Sequence, residues 1–335
     1  MKRSKILIST AAIATIVIAT FFTSCHKLEN PIKYPNGTFP DSVYNLSAIN
    51  SIYDDYNMDL PEIGSYIPLL FSSNRGSSGG QFNIVPAALA YTFNQTTGKF
   101  SVEGVDESTS FYTALANKAN SSSRDEFGPY SIFSSTDGFE YLIFSSGDVG
   151  EQLDLYYIKY LPPYGTNVPD MTGPLPVKVI NTGGSDAYIS FNLAEDTAYF
   201  CSDRSGNFDI YMQKRTSGTT LDSWMSSDFQ SASLVDSINS SSADKFPFVY
   251  KKIMVFSSNR PGGMGGFDLY YSIFRKGKWS SPVNFGPKIN TSSDEFRPLV
   301  GYHPNFTNNM LLFSSDRPGG KGGKDLYFTG FTFPK

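Results

Sequence analysis

The sequence predicts an all-β fold, a five-bladed β-propeller closed by an N-terminal strand that completes the last blade. Three observations carry this prediction. A short unit recurs along the chain, FSSNR from Phe71, FSSGD from Phe144, FCSDR from Phe200, FSSNR from Phe256 and FSSDR from Phe313. The intervals are 73, 56, 56 and 57 residues, enough for four strands and their turns, which is the content of one blade. The composition agrees: 29 Gly, 20 Pro and 15% aromatic residues suit many short strands, 17% charged residues leave little for long polar helices, and 40% apolar residues suffice for a packed core. Coiled coils, helical bundles and disordered chains are excluded on that basis.

Each unit sits in a longer frame with a fixed order. Upstream lie an Asn/Ser/Thr-rich turn, an acidic residue, and often an aromatic residue and a proline: ANSSSRDEFGP ends at Pro129, INSSSADKFP at Pro247 and INTSSDEFRP at Pro298, with looser copies before Ser190 and Leu60. Runs such as Ile253–Ser257 and Met310–Ser314 are short, apolar and bounded by turn residues, so they read as buried strands. Downstream come a glycine turn and an Asp followed by alternating apolar residues: Asp154-Leu155-Tyr156, Asp209-Ile210-Tyr211, Asp268-Leu269-Tyr270 and Asp325-Leu326-Tyr327, with Asn83 in the first copy. A fourth strand is expected near Gly277-Lys278-Trp279, leading into Pro282-Val283-Asn284. No stretch shows helical period over more than one or two turns. The extra 17 residues of the first interval lie between Asn83 and Asp125 and read as a loop insertion on that blade.

The chain begins with an address. Lys2, Arg3 and Lys5 precede an apolar stretch, Ile6–Phe22, followed by Thr23, Ser24 and Cys25, the basic, apolar and small-residue order of an export leader. Phe22-Thr23-Ser24-Cys25 resembles the lipobox of bacterial lipoproteins, which implies that Cys25 becomes the lipidated first residue, anchored by acyl chains in the outer membrane. The domain plan is therefore a leader over 1–25, a tether over 26–36 and the propeller over 37–335. Removal of the leader takes the net charge from −4 to −7, and with no basic stretch nucleic acid is not an expected partner. Cys201 then has no cysteine partner and reads as a small buried residue.

FSSNRPGGMGGFDLYYS from Phe256 and FSSDRPGGKGGKDLYFT from Phe313 resemble the WD40-like units of TolB-type propellers, which occur in envelope proteins of the Bacteroidetes type. The resemblance covers five repeats. It implies a propeller and an envelope location, and it does not imply one function.

Closure of the ring is read from the ends. The last repeat stops just after its Asp325-Leu326-Tyr327 strand. Gly37–Asn45 followed by Ile49-Asn50-Ser51 aligns without a gap to Gly277–Phe285 followed by Ile289-Asn290-Thr291. Residues 37–48 are therefore expected to supply the missing outer strand and to cover an exposed edge.

The loop into each innermost strand and the loop between the second and third strands share one face around the axis. That face is expected to carry Asp125, Glu126, Asp186, Asp244, Asp294 and Glu295 together with Arg75, Arg204, Arg260 and Arg317, as candidate channel-face binding residues or as blade-locking ion pairs. Because the groups repeat, packing is the favoured reading. The strings GGMGGFD and GGKGGKD are similar to the calcium nonapeptide but carry one extra residue and recur at 57 residues. No metal and no cofactor is expected, and Asp154, Asp209, Asp268 and Asp325 are read as accepting from turn amides.

His26 and His303 offer no ordinary catalytic triad and no histidine-based zinc site. The expected function is non-catalytic: an outer-membrane lipoprotein whose propeller face binds an envelope protein or a glycan, with Tyr91, Phe93, Phe100, Phe111 and Tyr112 of the insertion as non-repeat contacts or as strand core. The alternative is a glycan-cleaving enzyme, for which the non-consensus acids Asp137, Glu140, Asp148 and Glu151 are the candidates.

Overall fold

The structure, a computed structural model, describes residues 30–59, 66–105, 109–163 and 167–334. The leader reading, Cys25 included, lies outside the described residues.

Five antiparallel sheets form the blades. Blade one comprises Asp55–Asp59, Tyr66–Ser73, Asn83–Phe93 and Phe100–Val105. Blade two comprises Arg124–Phe133, Glu140–Asp148, Asp154–Tyr160 and Met171–Pro176. Blade three comprises Asp186–Phe191, Thr197–Ser202, Asp209–Lys214 and Ser233–Leu234. Blade four comprises Asp244–Tyr250, Ile253–Ser258 and Asp268–Arg275, with a broken outer strand, Lys278–Trp279 and Val283–Asn284. Blade five comprises Glu295–Gly301, Asn309–Ser315 and Asp325–Phe331. Innermost strands of neighbouring blades pack on one another, including those of blades five and one, so the ring closes.

The outer strand of blade five is Tyr44–Asn45, which pairs with Phe328 and Tyr327. The fold is thus the predicted one, with one difference in register. Asn45 faces Tyr327 as Asn284 faces the equivalent Tyr270, whereas the gap-free alignment sets Asn45 against Phe285. Both strands then lead to an equivalent Asn, whose amide donates to the strand Asn: Asn50 to Asn45 at 3.0 Å and Asn290 to Asn284 at 2.8 Å. Blade four uses one more residue between those two positions, so equal spacing from the glycine conceals a shift of one.

The recurring FSS unit has a physical reason at each position. The Phe fills the core between blades: Phe71, Phe144, Phe200, Phe256 and Phe313 are all at most 1% exposed, each a burial of roughly 2 to 3 kcal/mol. The next hydroxyl serves the neighbouring blade. Ser72, Ser145 and Ser314 accept from the amides of Gly128, Tyr188 and Asn57 at 3.1 Å. Those amides belong to a bulge that interrupts the innermost strand of every blade, where Asn57, Gly128, Tyr188, Phe246 and Arg297 take φ of 46 to 59°. Left-handed backbone of this kind disfavours most side chains. At Gly128 a Cβ would also meet Tyr188. Cys201 occupies the Ser position of blade three, where its thiol donates to Ala187 at 3.4 Å and burial raises it to about 11. The Phe246 amide of blade four opposes that rise, so Cys201 serves this seam as well as apolar filling.

The extra residues of the first interval form no further blade. Past blade one's third and fourth strands, Asn83–Phe93 and Phe100–Val105, the connection to blade two carries a helix, Ser110–Ala119. Thr109 caps the helix, accepting from the Tyr112 amide at 3.4 Å, and Phe111, Leu115, Ala116 and Ala119 form its buried stripe. The insertion's aromatics do not form an exposed contact patch. Tyr91 and Phe111 are 6% exposed, and Phe93 and Phe100 pack against the cluster containing Phe39 and Phe306. These side chains hold the ring's seam and the helix.

Candidate functional site

Four blades build the same ion pair on the acid-bearing face. Arg75, Arg204, Arg260 and Arg317 meet Asp55, Asp186, Asp244 and Glu295, at 2.8, 2.5 and 3.0 Å for the first, third and fourth pairs. The acids are fully buried and the guanidinium groups 12 to 20% exposed. Each Arg also donates to the carbonyl entering its blade, from Ile49, Ile180, Ile238 and Ile289, and to the last Ser of its FSS unit. In blades three to five its face lies 4.9 to 5.0 Å from the Tyr of the third strand.

Two further predicted residues act as clasps between blades. Asp125 accepts from the Phe82 amide at 2.8 Å and Asp294 from the Phe267 amide at 2.6 Å, and Asp54 does the same for Lys324 at 2.9 Å. The functional groups of Arg75, Arg204, Arg260, Arg317, Asp244 and Glu295 are therefore taken up within their own blades, and those of Asp125 and Asp294 between neighbouring blades. No group of three or more His, Cys, Asp and Glu side chains able to hold a metal occurs among the described residues.

Blade two departs from this scheme. Glu126 stands opposite Ser146, as Glu295 stands opposite Ser315, but the Arg position two residues past that Ser is Asp148. Glu126 is 0% exposed. Its Oε1 accepts from the Ser146 hydroxyl at 3.3 Å and its Oε2 accepts no bond of ordinary geometry. Burial raises it to about 8, opposed by the nearby Ser121 amide, the Ser146 hydroxyl and the charge of Arg124. Burial also raises Glu295, but Thr291 and Arg317 pull it back.

The third strand repeats the pattern. Asp268 accepts from the Met264 and Gly265 amides at 2.6 and 3.0 Å and from the Asn284 side chain at 2.9 Å. Asp325 has the same three donors in Lys321, Gly322 and Asn45. In blade two the turn lacks the paired glycines, and Pro176 faces Tyr156 where Asn284 faces Tyr270. Asp154 is left with Oδ1 buried and unpartnered, and burial, together with the Asp186 charge, raises its carboxyl.

Both acids pair in register with Ser146, one on each side, so their side chains share one face of the blade with α-carbons about 10 Å apart. Arg124, half-buried, is the nearby cation. Its guanidinium lies 4.7 Å from the Tyr156 ring, where the other blades stack their own Arg, and donates to the Ser146 carbonyl at 3.3 Å.

Half-buried aromatic rings surround this position on the axial face. Tyr56 and Phe127 pack against Phe82 at 5.2 and 5.1 Å, Phe267 against Phe296 at 5.5 Å, and Lys245 lies 3.9 Å from the Phe208 ring. Below them Tyr188, Phe246 and Arg297, all buried, occupy the axis. Arg297 donates to the Pro129 carbonyl at 2.9 Å and faces Tyr188.

The non-consensus acids do not assemble. Asp137 accepts from the Tyr141 hydroxyl at 2.6 Å and, with Glu140, lies at the opposite end of blade two's strands. Asp148 is exposed, 3.8 Å from Arg124, and Glu151 is exposed in the following turn. The informative acids are consensus acids without their consensus partners, and the signal for them was present in FSSGD, the one unit of the five without Arg at its fifth place.

A ring of five blades, each an antiparallel sheet, defines a five-bladed β-propeller. The chain is similar to a thermostable family-43 glycoside hydrolase (15% identity, TM-score 0.54, covering 86% of this chain and 92% of that one). It is similar also to an endo-arabinase of Bacteroides thetaiotaomicron (14%, 0.52, 89% and 98%) and an α-L-arabinofuranosidase of Lactobacillus brevis (10%, 0.50, 86% and 94%). These identities establish the fold. No family model and no curated protein matches the chain.

The resemblance to TolB-type WD40-like lipoproteins is corrected by these neighbours. Its motifs report the Phe, Ser, Arg and Asp that stabilise a blade, and they do not identify a family. The expectation of a non-catalytic binder, with an envelope protein as its partner, is corrected as well. Solved structures that share the fold include a glycoside hydrolase, an endo-arabinase and an arabinofuranosidase, so a repetitive framework is no argument against catalysis.

Proposed function

We propose that the protein is a glycan-cleaving hydrolase acting on the axial face beside blade two. The observation that carries this reading is the pair Glu126 and Asp154, two carboxyls on one face of one blade that have lost the partners neutralising their counterparts. Inverting glycoside hydrolysis requires an acid and a base about 6.5–9.5 Å apart, a range that the backbone spacing of these residues accommodates. Glu126, protonated at neutral pH, is the proton donor to the leaving oxygen. Asp154, raised less, is the base that takes a proton from water. The surrounding rings offer apolar faces to sugars, and Arg124 is the group a sugar displaces on reaching the two acids.

Incubation with a panel of neutral and acidic plant and bacterial polysaccharides, followed by product analysis, tests this. Turnover is expected to fall about 10²- to 10⁴-fold in Glu126→Gln and in Asp154→Asn, with inversion at the anomeric carbon read by NMR. Turnover unchanged in both variants, or none on any substrate, overturns the assignment.

Export and outer-membrane anchoring through an acylated Cys25 belong to the same proposal. They are supported by the basic, apolar and small-residue order of residues 1–25. Incorporation of labelled palmitate, lost in Cys25→Ala, is the expected result.

A further inference from the structure

The tether reaches the propeller on the face opposite Glu126 and Asp154. Both acids stand near the starts of strands one and three of their blade, so the ends of those strands define the other face. There the Lys33 and Tyr34 amides donate to the Gln95 carbonyl at 3.0 and 2.9 Å, in the turn after Asn83–Phe93, and the Tyr34 ring packs on Gly98. Gly37 donates to the Asn305 carbonyl at 2.7 Å and accepts from the Thr307 amide at 2.9 Å, in the hairpin after Glu295–Gly301. Two blades thus fix the entering chain to this face.

The same face gathers exposed apolar side chains. Ile32 and Tyr34 of the tether stand with Phe133, Leu161, Leu193 and Tyr302 at the ends of strands or in their hairpins, and all are 45 to 77% exposed. The axial face carries Ile52, Val149 and Met264. Singly such residues are ordinary, but collected beside the tether they suit the boundary between headgroups and acyl chains. Glu195 and Asp196 share the hairpin of Leu193, so the contact is apolar and does not depend on anionic lipid.

We propose that this face lies against the bilayer and that the axial site opens away from it. The orientation rests on the acylation of Cys25 proposed above. Reach sets it: the five residues from Asn30 back to Cys25 span at most about 18 Å, whereas the seven-residue strand Asp154–Tyr160 alone is roughly 23 Å long. The lipid cannot be carried round a blade to the axial face. A polysaccharide then approaches Glu126 and Asp154 from the side remote from the membrane.

The mature chain from residue 25, which keeps all five blades, can be coupled through Cys25 to a maleimide phospholipid in vesicles of phosphatidylethanolamine and phosphatidylglycerol. Cys201, buried and raised to about 11, does not compete. Compared with the chain free in solution, the amides of 94–98, 192–196 and 302–308 are expected to exchange with deuterium at least fivefold more slowly, and those around Val149 and Met264 at an unchanged rate. The Leu193→Asp/Tyr302→Asp double variant, both changes on exposed side chains, should lose that protection while its melting temperature stays unchanged. Protection of the axial turns, protection of neither face, or full protection in the folded double variant overturns the orientation. Absence of palmitate at Cys25 in cells instead removes the anchor, and the orientation with it.

Discussion

Blades two and five carry the same residue, Glu126 and Glu295, at the same place, each opposite the last Ser of its repeat. In blade five the carboxylate receives Arg317 at 3.0 Å and the hydroxyl and amide of Thr291 at 2.6 and 3.1 Å. In blade two no guanidinium reaches it: it receives a long bond from Ser146, with the Ser121 amide and the charge of Arg124 nearby. Identity of the acid therefore does not decide its chemistry. A buried carboxyl beside a guanidinium is part of the framework, and one deprived of it holds a proton at neutral pH.

Breaking the intact side gives the largest expected effect. Arg317→Ala leaves Glu295 buried with its charge uncompensated, and a loss of about 3–5 kcal/mol is expected in urea unfolding at pH 7. Arg124→Ala removes no direct pair from Glu126 and should cost under about 1 kcal/mol. Equal losses in the two variants would show that Arg124 already serves blade two as Arg317 serves blade five.

Supplying blade two with the missing group sharpens the contrast from the other direction. The double variant Arg124→Ala/Asp148→Arg puts a guanidinium where the repeat has it. Glu126, followed by carboxyl NMR, should titrate well below its native value of about 8, with a gain of about 1–3 kcal/mol at pH 9 and loss of any turnover. The sign at native Glu126 follows from linkage. Its folded value lies above the 4.5 of the free group, so its contribution to stability is complete below about pH 4.5, declines as pH rises towards 8 and is absent above it. Glu126→Gln should flatten that decline in a series of melts. A stability profile identical to that of the native chain would mean that the carboxyl is not buried as a neutral acid.

Much of the architecture was legible because a blade is a local unit. The Phe of each FSS run, the Asp before each apolar strand and the closing segment near Tyr44 each answer to a nearest-neighbour need, and such needs repeat in sequence. The misreadings fell where one blade differs. Equal spacing from Gly37 and from Gly277 hid a residue gained between Asn284 and Asn290. The ten-residue helix Ser110–Ala119 has only the stripe Phe111, Leu115, Ala116 and Ala119 to announce it, too short a pattern to separate from strands around it. At the site, the acids that break the consensus, Asp137, Glu140, Asp148 and Glu151, do not come together. The informative feature was a partner that fails to appear, Arg at position 148 and paired glycines before Asp154, and an absence is visible only once the role of the partner is known.

The third-strand acids give the smallest effect and the cleanest separation of roles. Asp325 accepts from the Lys321 and Gly322 amides and from Asn45, so Asp325→Asn converts charge-assisted bonds to neutral ones and sets an amide against donors, a cost of about 1–2 kcal/mol. Asp154→Asn removes a carboxyl whose buried oxygen has no partner, and its unfolding midpoint should move by less than about 0.5 kcal/mol. The variant with the smaller structural cost is thus the one expected to lose glycan cleavage by about 10²- to 10⁴-fold. If Asp154→Asn is as destabilising as Asp325→Asn, Asp154 is held by contacts equivalent to those of its counterparts, and blade two is as much a framework element as blade five.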